Sequence, residues 1–154
     1  MKKLLSLFLS LLFVCFANAC QLFQLETSST SDSATSEDGN LEITLEREEN
    51  MVIITVVKNF YTMNMHLDDI MQILKTQEGL SYEIENGLLT SLDGVANTNT
   101  SFWMLYTSYE ILTDTAWGTI EYKGNTYGSA IVGAEGLPAV HGQVYIWSYE
   151  TPSW

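Results

Sequence analysis

Leu41-Glu42-Ile43-Thr44-Leu45-Glu46, then Arg47-Glu48-Glu49-Asn50, then Met51-Val52-Ile53-Ile54-Thr55-Val56-Val57 decide how this chain folds. Leu41, Ile43 and Leu45 alternate with Glu42, Thr44 and Glu46, the period of a strand that buries one face. The next four residues are a polar turn. Met51 to Val57 is β-branched-rich and nearly all apolar, which predicts a strand covered on both faces. The two strands are expected to pair as a hairpin. Further on, Leu67, Ile70, Met71 and Leu74 fall at i, i+3, i+4 and i+7, an apolar stripe along one side of a helix. Asp68 and Asp69 sit in its first turn and Lys75 in its last, as the helix dipole favours. Gly79 is the expected stop.

Beyond Leu80 the pattern is that of strands. Tyr82 and Ile84 lead into Asn86-Gly87, a tight-turn pair, and Leu88 to Leu92 forms the return. Phe102 to Tyr106 is a compact aromatic strand. Thr119 to Tyr122 and Thr126 to Tyr127 flank Lys123-Gly124-Asn125, a second hairpin signal. Gly133, Gly136, Pro138 and Gly142 mark a long loop before the strand Val144 to Tyr149. Two strands, one helix and several more strands predict an α+β domain, with one helix on a mostly antiparallel sheet carrying β-hairpins.

Toward the N-terminus the chain reads as an address. Lys2 and Lys3 precede Leu4 to Phe16, which is apolar except for Ser6 and Ser10. Spanning a bilayer takes about 20 apolar residues, so this segment is an export signal over residues 1–19 and not an anchor. Ala17-Asn18-Ala19 suits ordinary signal peptidase. Ala19-Cys20 is also the end of a bacterial lipobox, an imperfect one with Ala17 where Leu is commonest and Asn18 an unusual occupant of the next position. After the cut Cys20 is the sole cysteine of the mature chain, and lipidation gives an otherwise exposed thiol a use, since two acyl chains hold a protein stably at a membrane. The expected location is the extracellular face of a bacterial cell membrane, with a secreted protein as the alternative. Thr27 to Gly39 is Ser/Thr-rich with one small apolar residue, so residues 20–40 read as a lipidated cysteine and flexible tether. The folded domain is then expected over residues 41–154.

Composition excludes several classes. Six Lys and Arg stand against 19 Asp and Glu, a formal charge of −13 that phosphate backbones and anionic headgroups repel, so no nucleic-acid partner is expected. Two cysteines build no disulfide framework and two histidines fill no His-rich metal cage. No nucleophile elbow, P-loop, His-Glu-x-x-His or Cys-x-x-Cys is present. His66 stands at the helix entrance beside Asp68 and Asp69, where a surface histidine competes with a metal or catalytic role. His141 lies in the glycine-rich loop. Glu83 and Glu85 share a strand face, as catalytic carboxylates can, but alternating acids on an exposed face are ordinarily solvated. No catalytic residue, metal or cofactor is assigned, and no enzymatic activity is expected.

The aromatics are the anomaly. Phe102, Trp103, Tyr106, Tyr109, Trp117, Tyr122, Tyr127, Tyr145, Trp147, Tyr149 and Trp154 crowd the last third of the chain. Trp103 and Trp147 lie in the strongest strand patterns and are expected inside. Tyr109, Trp117 and Tyr127 lie beside loops and, with His141, are the candidate ligand face.

Phe102-Trp103-Met104-Leu105-Tyr106-Thr107-Ser108, Thr115-Ala116-Trp117-Gly118, Tyr127-Gly128-Ser129-Ala130 and Val144-Tyr145-Ile146-Trp147-Ser148-Tyr149 resemble the bacterial surface-lipoprotein domains similar to the C-terminal domain of transcobalamin and intrinsic factor. The resemblance spans roughly Leu41 to Tyr149, with Trp103, Tyr106 and Trp147 as its core motif. It implies a β-grasp-like α+β fold and capture of a corrinoid such as cobalamin. Where those domains carry an Asn-Gly turn after the Trp strand, this chain has Thr107-Ser108. The functional expectation is a membrane-tethered, non-enzymatic ligand-binding module, possible corrinoid capture included. The alternative is a structural or adhesive module that docks another surface protein.

Overall fold

The computed structural model describes residues 30–37, 39–60 and 65–152. The export signal, Cys20 and Trp154 lie outside them. Among the described residues the first element is β1 (Thr30–Thr35), followed by β2 (Leu41–Glu48) and β3 (Met51–Asn59). The helix α1 (Leu67–Gln77) comes next, then β4 (Tyr82–Glu85), β5 (Leu88–Leu92) and β6 (Val95–Ala96). The chain closes with β7 (Phe102–Thr107), β8 (Thr113–Tyr122), β9 (Asn125–Ala130) and β10 (Val144–Glu150). One sheet runs in the order β1-β2-β3-β10-β7-β9-β8 and a small one in the order β4-β5-β6. Every pairing among these strands is antiparallel. The α+β class, one helix on a mostly antiparallel sheet, is as expected.

β2 and β3 form the expected hairpin, from Leu41 opposite Asn59 to Glu48 opposite Met51. Leu41, Ile43 and Leu45 point to one side of the large sheet, where Leu67, Ile70, Met71 and Leu74 of α1 cover them. These four helical side chains are fully buried, so each truncation to Ala there costs about 2–5 kcal/mol. The helix begins where the Asp69 carboxylate accepts from the His66 backbone N–H at 2.9 Å. It ends at Gly79, whose φ of +68° is the left-handed turn that glycine adopts without strain. Asn86-Gly87 and Lys123-Gly124 have positive φ at both residues, the twist that two-residue hairpin turns need.

The polar tract departs from its reading as a tether. Thr30–Thr35 is an edge strand, paired with β2 from Thr30 opposite Arg47 to Thr35 opposite Glu42. Ala34 is buried in the main core, and Asp32 is bound by Arg47 at 2.7 Å. The folded body therefore includes Thr30, not only residues from Leu41 onward. The physical reason is that an edge strand with one face in water needs a single small inward residue, which leaves no periodicity to read.

The second face of the large sheet carries a smaller cluster of Ile53, Tyr106, Tyr122, Tyr127 and Ile146. The β8–β9 hairpin folds back over that face. Its tip is fastened to β2, where the Tyr122 hydroxyl donates to Glu46 Oε2 at 2.9 Å and Lys123 Nζ lies 2.7 Å from the same oxygen. Tyr127 packs there against Tyr122, with ring centroids 6.4 Å apart.

Candidate functional site

The site arises where regular pairing stops. β7 meets β9 only at Tyr106 opposite Ser129 and Thr107 opposite Gly128. The earlier residues of β7 have no strand neighbour on that side. β8 breaks in the same region: Asp114 faces Ser129 and Thr119 faces Gly128, so Thr115, Ala116, Trp117 and Gly118 have no partners in β9. The Asp114 carboxylate holds this bulge by accepting from the Ala116 backbone N–H at 2.8 Å. Gly128 makes the bulge possible, because a Cβ there would stand 3.0 Å from Thr113 Cβ. Gly118, at φ +132°, returns the chain to the ladder close under the Tyr106 hydroxyl. The bulge throws the Trp117 indole outward, 63% exposed.

Trp117 stands between two cavities. The first, about 390 Å³, opens between β7, the small sheet and the segment after β9. Trp103, Leu105 and Trp147 form its inner wall, and Leu88, Phe102 and Ile131 expose apolar surface at its margin. Asn97 ties the small sheet to this wall: its side-chain amide donates to the Leu89 carbonyl at 2.7 Å, and its oxygen accepts from the Trp103 backbone N–H at 3.0 Å. The second cavity, about 560 Å³, lies on the other side of Trp117 against Met104, Tyr106, Gly118 and Glu150. There the Tyr106 hydroxyl donates to Glu150 Oε2 at 3.0 Å. Burial first, then the Glu150 charge and hydrogen bond, push the Tyr106 phenol well above the usual tyrosine range. The two cavities lie on opposite faces of β7, the first against Trp103 and Leu105 and the second against Met104 and Tyr106, and Met104 and Trp117 border both.

Of the candidate ligand face, Trp117 alone lines either of these two cavities. Tyr127 is a correction: although beside a turn in sequence, it is buried, because the hairpin folds over and turns its ring inward. Tyr109 is half-buried against the main core. His141 is exposed and lies against Phe60 with ring centroids 5.8 Å apart, on the loop that docks at the helix entrance. These four side chains are not brought together into one site. Trp103 and Trp147 are buried as expected, and Tyr106 is buried too.

His66, Asp68 and Asp69 bring possible ligand atoms within 4.8 Å of one another at the helix entrance, on half-buried and exposed residues. Glu83 and Glu85 are both exposed. Among the described residues no helix is long and apolar enough to cross a membrane. The sequence reading missed Leu88, Phe102, Met104, Ile131 and Glu150 as cavity residues. A signal did exist for two of them: Phe102 and Met104 alternate with the inward Trp103 and Leu105. The gap that exposes them is a property of pairing, not of β7 itself.

No protein-family model matches the chain, and no curated protein or solved structure matches it.

Proposed function

We propose that this protein is a non-enzymatic ligand-binding module, held outside the cell by a lipid on Cys20, that captures a small apolar or ring-bearing ligand beside Trp117. The observation that carries this reading is the 390 Å³ cavity walled by Trp103, Leu105 and Trp147 and bordered by exposed Trp117. Concave apolar surfaces of a few hundred Å³ with few polar groups are the usual form of small-molecule sites. A bulge that thrusts a tryptophan into water at the cavity mouth gives up burial that a simple scaffold would keep.

The β-grasp-like arrangement implied by the resemblance belongs to this proposal, supported by the single helix packed across a sheet with the last strand near its centre. So does the corrinoid. The half-open cavity offers such a ligand one edge rather than an enclosure. The exposed apolar rim of Leu88, Phe102, Trp117 and Ile131 also supports the second reading, docking of another surface protein.

Calorimetry and tryptophan fluorescence with cobalamin, cobinamide and hexan-1-ol test the capture reading. Saturable binding of any of them, weakened at least tenfold by Trp117→Ala, is expected. Absence of binding by all three at millimolar ligand would overturn it. Mass spectrometry of the mature N-terminus tests the anchor, with a diacylated Cys20 as the expected species.

A further inference from the structure

Resting on that capture reading, we propose that the ligand class is an amphiphilic organic cation, with its apolar body against Met104 and Trp117, which border both cavities, and its ammonium group in the second cavity against Glu150 and the Trp117 face. Glu150 is half-buried, and its hydrogen-bond partner is the Tyr106 hydroxyl on Oε2. It makes no ion pair with any described residue. The four described basic side chains are engaged elsewhere. Arg47 binds Asp32 and Asp93, and Lys123 binds Glu46. Lys58 lies over Phe60 and Lys75 over Tyr82. A carboxylate and an exposed indole lining one cavity have the two features that recognise an alkylated ammonium: a counter-charge and a π face. A guest anion there meets the Glu150 charge, and a neutral guest leaves that charge without a counter-ion.

Met104 and Trp117, which border both cavities, set the shape. One molecule can place its apolar tail on these two side chains and its head on the carboxylate. The Tyr106 bond fixes one Glu150 oxygen, which leaves the other for the guest.

The experiment compares hexyltrimethylammonium with hexan-1-ol by calorimetry on the same protein. The charged probe is expected to bind at least tenfold tighter. Glu150→Gln keeps an acceptor for Tyr106 and is expected to erase that preference while leaving hexan-1-ol binding unchanged. Trp117→Leu keeps the apolar wall, removes the π face, and is expected to reduce the preference several-fold. Glu83→Gln, which removes an equal charge from exposed β4, is expected to change nothing. Equal binding of the two probes would overturn the cation assignment and leave apolar capture standing. A preference that survives Glu150→Gln would overturn it too, by tracing the attraction to the overall acidity of the chain. Binding of neither probe would overturn the cation assignment as well, and the capture reading falls with it only if cobalamin and cobinamide also fail to bind.

Discussion

Trp103 and Trp147 face the same core from adjacent strands, but among the described residues only one of them has an acceptor for its indole N–H. Trp103 Nε1 donates to the Val95 carbonyl at 2.8 Å, whereas the buried Trp147 Nε1 has no partner among them. A lost hydrogen bond of a part-buried pair costs about 0.5–1.5 kcal/mol, and deleting an orphaned donor costs nothing of that kind. Both indoles lose similar packing when cut to phenylalanine. Trp103→Phe should therefore destabilise by about 1 kcal/mol more than Trp147→Phe in urea unfolding. Equal midpoints for the two variants would contradict the assignment.

Tyr145 anchors the long glycine-bearing loop. Its fully buried hydroxyl donates to the Pro138 carbonyl at 2.5 Å and accepts from the Val140 N–H at 3.1 Å. Tyr145→Phe should cost about 1–3 kcal/mol. Burial pushes the phenol up to about 12, from 10.0. The unfolded chain then releases this proton first, so the neutral tyrosine's contribution is present below pH 10 and falls away as pH rises toward 12. The gap between wild type and Tyr145→Phe should narrow across that window in denaturant titrations. A constant gap would show that the hydroxyl is not what couples.

Acid should act on Glu46. The hydrogen bond from Lys123 above all, with that from Tyr122 and the Lys123 charge, holds this carboxyl below 4.5, against the opposing effect of burial. A depressed folded value means the contribution is present above the unfolded value and is lost as pH falls through the folded one. Because Lys123 is largely exposed, Glu46→Gln should cost less than about 1 kcal/mol at pH 7. That difference should vanish near pH 2, where both proteins are uncharged at this position. Thermal midpoints at the two pH values measure it, and a difference unchanged at low pH would be inconsistent with this origin.

Arg47 ties three separated segments. Its Nη1 and Nε lie 2.7 Å from Asp32 of β1 and Asp93 of the turn between β5 and β6, and a further N–H donates to the Glu78 carbonyl. Arg47→Leu should cost about 1 kcal/mol globally. Amide exchange in Thr30–Thr35 should speed by about tenfold, with β7 and β10 little changed. Uniform acceleration across all strands would mean that β1 is not held locally by this side chain.

Gly118 should resist any side chain. At φ +132° a Cβ would stand 3.3 Å from the Tyr106 hydroxyl. Gly118→Ala should cost about 1–3 kcal/mol and shift the tryptophan emission as the bulge carrying Trp117 moves. An unaltered spectrum and stability would show that the bulge tolerates other geometries.

The sequence by itself determined the elements. Period-two alternation at Leu41–Leu45, the apolar run from Met51, the stripe Leu67-Ile70-Met71-Leu74 and the Asn86-Gly87 and Lys123-Gly124 turns are local signals, since each depends on neighbours within a few residues. They fixed the hairpins, the helix and the α+β class, and they put Trp103 and Trp147 inside. Strand β1 stayed hidden because its partner, not its own composition, makes it a strand. The cavities were equally out of reach. They exist because β7 and β9 pair at only two positions and β8 bulges by four residues opposite Gly128. Tyr127 and Trp117 both sit beside turns in the sequence, yet the backfolded hairpin buries one ring and the bulge exposes the other. Which aromatic faces water is decided by pairing between distant strands, and that information resides in the three-dimensional register alone.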